Sequence, residues 1–236
     1  MVRVLQLSKV VGFLLLAVAC TGYGQTVPTF PVGFNIQGLN YWSYPFFSDV
    51  MTGSSNWITY YDGSDWDTQK RDQLDLDSNG YPVEIPQLID GQQTMVRCML
   101  NNCYTGRFRF MWDGDGDIEF RVSHELVGGN HYITLDGACD HKWIHITRSN
   151  RADPLRNIRI VPDSLADIYD RNNPDHLFMP MFLKGLEPFH AIRFMDWYNT
   201  NGSTQKYWSD RPKPTDYTQG TKGVCLEYAV DLCNKL

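Results

Sequence analysis

The sequence predicts a mixed α+β chain: an antiparallel β-sandwich set between βα units that read as the start of an incomplete barrel. Three observations predict it. Six short runs with one apolar side lie between residues 94 and 161, each bounded by turn residues. Strand-like and helix-like patterns alternate on both sides of that block. The chain has 236 residues, 42% of them hydrophobic and 20% charged, enough for one large core or two small ones.

Taken in order, residues 33–41 read as a short buried strand ending in Tyr41 and Trp42. Residues 45–51 then read as a short helix, with Pro45 near its first turn. The six alternating runs follow at 94–100, 107–112, 118–122, 131–135, 142–148 and 157–161. Asn101-Asn102, Asp113-Gly114-Asp115-Gly116, Gly128-Gly129-Asn130 and Asp136-Gly137 punctuate them. Residues 163–169 and 176–186 carry helical periodicity, and 191–197 read as a buried strand. A polar loop spans about 198–222. Leu226, Ala229, Val230, Cys233 and Leu236 then fall on one helical stripe. The expected organisation is a signal peptide over 1–24, a first barrel-like element over 25–66, the sandwich over 67–162 and the continuing barrel over 163–236. Two strands cannot close a barrel, so the chain reads as the N-terminal part of a longer protein. A complete α+β protein whose last helix docks at the terminus fits the same pattern.

Arg3 and Lys9 precede the apolar run 10–19, and small residues follow it. That is the form of a secretory signal, and the run is short for a membrane span of roughly 20 residues. Ala17 stands where a lipoprotein box prefers Leu, which discounts Cys20 as a lipid anchor. Secretion permits disulfides. Asn101-Asn102 is a turn that brings Cys98 and Cys103 together. Cys225 and Cys233 lie about 12 Å apart along one helix and cannot pair with each other. The net charge of −6 argues against nucleic acid and against a polybasic membrane surface. No P-loop, dinucleotide fingerprint or nucleophile elbow is present, and no cofactor is implied. Asp75-Leu76-Asp77-Ser78-Asn79-Gly80 opens like a calcium loop, but Pro86 stands where the bidentate Glu belongs, so an EF-hand is excluded.

Several blocks resemble a known group. Gly33-Phe-Asn-Ile-Gln-Gly-Leu-Asn-Tyr-Trp-Ser, Leu74-Asp-Leu-Asp-Ser-Asn-Gly-Tyr-Pro and Ile192-Arg-Phe-Met-Asp-Trp are three of them. Trp208-Ser-Asp-Arg-Pro and Gly223-Val-Cys-Leu-Glu-Tyr-Ala-Val-Asp-Leu-Cys-Asn are two more. Together and in this order they resemble secreted glycoside-hydrolase-like proteins often labelled cellulose-binding. The resemblance implies a (β/α)8 hydrolase barrel carrying a jelly-roll-like sandwich. It also implies a polysaccharide partner, cellulose-like or related, and acid/base and nucleophile strands beyond Leu236.

The candidate binding residues are Trp197, Asp196, Trp208, Arg211, Trp42 and Tyr41; no catalytic residue is assignable. Asp196 and Trp197 end a strand, and in a barrel that end is the rim where ligands bind. Trp197 there either stacks on a sugar ring or caps the core, and Asp196 either binds hydroxyls or caps a turn. Arg193, if it points inward, needs a carboxylate such as Asp196. In the loop, Trp208 and Arg211 either orient a sugar or join Asp210 in holding the loop. Tyr41 and Trp42 follow the same rim logic. Aromatics make up 14% of the chain, with seven Trp, all beyond residue 40, which suits stacking on sugars as well as core packing. The resulting expectation is a secreted carbohydrate-active protein, with non-catalytic carbohydrate binding or matrix interaction as the alternative.

Overall fold

Alternation between apolar and polar residues is what places most of this chain in antiparallel sheets. A computed structural model describes residues 32–89, 91–138 and 141–236. The proposed signal peptide lies outside the described residues. Gly33–Leu236 forms one compact unit. Its strands are β1 Gly33–Asn35, β2 Ile58–Tyr60, β3 Leu88–Ile89, β4 Gln92–Gln93, β5 Met95–Met99 and β6 Thr105–Asp113. They continue as β7 Gly116–Arg121, β8 Ser123–Val127, β9 Asn130–Asp136, β10 Trp143–Ser149, β11 Arg156–Pro162 and β12 Ala191–Arg193. The described helices are α1 Pro174–Leu177, α2 Pro180–Leu186 and α3 Leu226–Lys235. The chain is thus β-rich with few helices, an α+β arrangement.

Two four-stranded antiparallel sheets dominate, ordered β2-β5-β10-β7 and β11-β6-β9-β8. In the first, Ile144 faces Cys98 and Phe120, and Ile146 faces Val96 and Ile118. In the second, Phe108 faces Ile133, and Phe110 faces Ile160. These side chains meet in one core, because residues two apart along a strand share a face. Val50, Met51, Trp57 and Tyr217 enter that core from outside residues 67–162. The β6–β7 turn needs glycine: Gly114 has φ +91°, and a Cβ there would lie 2.1 Å from the Pro154 carbonyl oxygen. The carboxylates around this turn are neutralised by arginine, Asp113 by Arg159 and both Asp115 and Asp117 by Arg148.

Outside the two sheets the elements are short. β1 and β12 pair in parallel, with Gly33 opposite Ala191 and Asn35 opposite Arg193. Each is three residues long, much shorter than the strands read from the sequence. The 45–51 helix is corrected to a single 3-10 turn, Val50–Gly53, because the Asp49 side chain caps it by accepting from Met51 N–H. Residues 163–169 form turns rather than a helix. The 176–186 helix splits into α1 and α2 around Phe178 and Met179, since Pro180 drives its predecessor out of helical geometry. In α3 the buried stripe is Tyr228, Ala229 and Leu232, which keeps only Ala229 of the predicted one; Leu226, Val230 and Leu236 are exposed.

A second core forms beneath α1–α3 and the parallel pair, and it is mainly aromatic. Phe46, Phe47, Phe178, Phe182, Trp197 and Tyr228 fill its centre. Between the two cores sits Asp49, fully buried. One of its oxygens accepts from Ile160 N–H of β11 at 2.9 Å, and the other meets Arg171 at 3.0 Å. Burial pushes the Asp49 carboxyl above its usual range, against the pull of Arg171 and the two backbone donors.

The predicted Cys98–Cys103 bridge is corrected. Cys98 is a free thiol buried in the sheet core, where burial raises its pKa, so it is not bridged to Cys103. Its place on β5, facing inward opposite Ile144, points Cys98 away from that turn. Cys225 and Cys233 are also free. In the segment that opens like a calcium loop, Asp77 accepts backbone N–H from Asn79 and Tyr81, and Asp75 pairs with Arg151. These contacts make a plain Asx turn.

Candidate functional site

An open cavity with polar and apolar walls lies where the chain leaves β12, crosses a long loop and enters α3. Its walls are fixed locally. After Arg193 the chain turns back on itself through Tyr198 N–H to Phe194 C=O, Asn199 to Asp196 and Thr200 to Met195. Val224 N–H then donates to the Trp197 carbonyl at 2.8 Å, bringing the start of α3 beside that turn. Gly223 makes this approach feasible: φ is +94°, and a Cβ would sit 2.7 Å from the Tyr198 carbonyl carbon.

The far wall is the 3-10 turn Trp208–Asp210. Asp210 builds it by accepting from Lys206 N–H and Tyr207 N–H at 3.1 and 3.0 Å. Those backbone donors hold its carboxyl below the usual range. Arg211 anchors the turn to α3 through Glu227 at 2.9 Å, and its guanidinium lies 4.5 Å from the Trp208 ring centre. Gln205 ties the loop start to the Lys222 carbonyl at 3.0 Å. Between the walls is a groove of about 420 Å³ lined by Tyr198, Gln205, Lys206, Tyr207, Trp208 and Arg211, with Val224 and Leu226 as part of its apolar surface. Tyr207 is 73% and Trp208 71% exposed. The two adjacent rings make a contiguous apolar patch, the kind of surface that marks binding sites where single exposed side chains do not.

The six sequence-predicted residues separate into three groups. Trp208 and Arg211 come together in the groove. Trp197 does not: it is 0% exposed, stacked on Phe47 at 5.7 Å and 7° and set edge-on against Phe46. The strand stops at Arg193, so Trp197 falls in the following turn and points into the aromatic core; its expected rim role is corrected to packing. Asp196 binds Asn35 at 2.6 Å and so laces the end of β1 to the turn after β12. Arg193 is exposed and donates to the Met195 sulfur rather than to Asp196. Tyr41 and Trp42 pack edge-to-face at 4.3 Å, with Trp42 56% exposed, and do not line the groove.

Sequence reading missed Tyr207 and Tyr198. Tyr207 adjoins Trp208 in a polar loop, and that aromatic pair amid Ser, Thr, Asn and Lys was the available signal. A second open cavity, about 400 Å³, is walled chiefly by Phe34, Tyr44, Phe46, Met181, Phe182 and Leu186 and offers few hydrogen-bonding groups. Among the described residues, no cluster of three metal-ligating side chains occurs, and no helix is long and apolar enough to cross a membrane. Comparisons with protein-family models, with curated proteins and with solved structures find no match.

Proposed function

We propose that this is a secreted carbohydrate-active protein that binds polysaccharide in the groove between the Trp208 turn and α3. One observation carries the reading: Tyr207 and Trp208 present adjacent rings to solvent on a turn braced by Asp210 and Arg211. A pyranose has an apolar C–H face and a polar rim. An exposed indole removes the first from water, while the amide of Gln205 and the nearby cations can meet the second. A braced turn loses little freedom when a sugar docks, which favours affinity.

The finer architecture belongs to the same proposal. The parallel β1/β12 pair is read as the start of a (β/α)8-type barrel. The two antiparallel sheets are read as a jelly-roll-like sandwich inserted after β1, as in the glycoside-hydrolase-like proteins the sequence resembles. Binding rather than cleavage is the favoured activity of this groove. Glycoside hydrolysis requires two carboxyl groups about 5–10 Å apart, and no Asp or Glu lines it.

Affinity electrophoresis through gels containing soluble polysaccharides tests the reading. At least one should retard the wild type, and Tyr207→Ala/Trp208→Ala should weaken that retardation about tenfold or more. Near-UV circular dichroism controls for folding. No retardation by any polysaccharide, or unchanged retardation of a well-folded double variant, overturns it.

A further inference from the structure

Charge in this chain is unevenly distributed. The whole carries −6, yet residues 198–222 hold Lys206, Arg211, Lys213 and Lys222 against only Asp210 and Asp216. The groove sharpens this bias: of its eleven lining residues two are cationic, Lys206 and Arg211, and none is acidic. The acidic groups close to it are already engaged. Asp210 accepts the two backbone N–H groups that shape the turn, Asp216 accepts Lys213 N–H, and Glu227 holds Arg211 Nη2. No ion pair among the described residues involves Lys206, and Arg211 Nε is buried without a partner. Trp208 lies against the Arg211 guanidinium, 4.5 Å from ring centre to Cζ.

We propose that the groove selects an acidic polysaccharide, one whose sugars carry carboxylate or sulfate-ester groups, with Lys206 and Arg211 meeting the anion while Tyr207 and Trp208 take the ring faces. This rests on the groove being a glycan site and adds the substrate class. A neutral glycan leaves the Lys206 ammonium desolvated for no charged gain, whereas a uronate or sulfate oxygen exchanges water for charge-assisted hydrogen bonds. The Lys206 ammonium offers the anion a point charge, and Arg211, with Nη2 held by Glu227 and Nε buried, adds its other amino group. Paired with stacking, this gives both orientation and selection against uncharged chains.

Four probes separate the outcomes: polygalacturonate for carboxylate, dextran sulfate for sulfate ester, and dextran and hydroxyethyl cellulose as uncharged controls. The wild type should bind at least one charged probe about tenfold more tightly than either control, and the advantage should shrink at about 0.5 M salt. The charged probe that wins identifies the anion. Lys206→Gln should lose most of the advantage of that charged probe over the controls. Arg211→Lys keeps the charge but removes the guanidinium's second amino group and should lower affinity for the same charged probe. Controls bound as tightly as charged probes, with Tyr207→Ala/Trp208→Ala still impaired, overturn the acidic class and leave the groove reading standing. Charged probes bound equally by wild type, Lys206→Gln and the double aromatic variant overturn both, as does binding of none of the four.

Discussion

The two cores of this molecule are built on different rules. Beneath the antiparallel sheets, Val96, Cys98, Ile133, Ile144, Ile146 and Ile160 come from long strands and meet every second residue. Beneath α1–α3, Phe46, Phe47, Phe178, Phe182 and Trp197 come mainly from turns and short helices and meet through ring faces and edges. The first core has a backbone ladder to fall back on when a side chain is trimmed. In the second, loops hold their shape because large rings fill the space between them. Few side chains therefore carry more of the stability per residue in the aromatic region.

Substitutions can break that contrast. The largest effect is expected from Trp197→Ala, which removes a fully buried indole touching several rings and should cost about 3–5 kcal/mol in urea unfolding, with loss of near-UV dichroism. A cost under about 1 kcal/mol would mean the turn collapses into the space and the region is softer than its packing implies. Ile144→Val in the sheet core, which removes a single buried methyl group and leaves the ladder to β5 and β7 in place, should cost only about 0.5–1.5 kcal/mol.

Acidity sharpens the comparison from the other side, because the two histidines with displaced titration both lie in the sheets. Burial holds His131 below its ordinary value, helped by His124, and burial also lowers His145. A histidine whose folded pKa is depressed supplies stability that is full above the unfolded value near 6.5 and is lost as pH falls through the folded one, since the unfolded chain binds the proton first. The urea midpoint should therefore drop between about pH 7.5 and 5.5, and His131→Gln/His145→Gln should flatten that drop. An unchanged slope in the double variant would assign the acid sensitivity elsewhere. Smallest of all is Trp208→Ala, expected within about 0.5 kcal/mol of wild type by the same unfolding measurement. A large cost there would make Trp208 a structural brace and weaken its reading as a ligand platform.

The same contrast explains what could be read from the residues. Each of the six predicted sheet runs coincides with an observed strand to within a few residues, because apolar alternation is both the signal and the cause of burial. β8 escaped because all five of its residues are exposed, so it has no alternation to display. The aromatic region has no period. The apolar run continues past Arg193 and so reads Trp197 onto a strand, but contact with the surrounding rings, Phe46 and Phe47 among them, fixes where that indole points. In α3, Cys225, Tyr228, Ala229 and Leu232 form as good a stripe as the predicted one, and the neighbouring rings decide between them. Of the groove, Trp208 and Arg211 were legible as unusual residues in a polar loop. Their meeting with Tyr198 and α3 depends on Gly223 and Val224 returning to Trp197, a long-range contact with no local signature.

Asp49 ties these two kinds of architecture into one thermodynamic event. Its carboxylate reaches β11 with one oxygen and Arg171 with the other. Peeling away the segment before α1 would leave an anion beneath the sheets without its counter-ion; opening the sheets would strand the guanidinium instead. Neither half has an inexpensive partly open state, so the amides of β11 and those of the helical region are expected to exchange with solvent through a common opening rather than as independent foldons. An ion pair that adds little net stability can in this way set how cooperatively the whole chain melts.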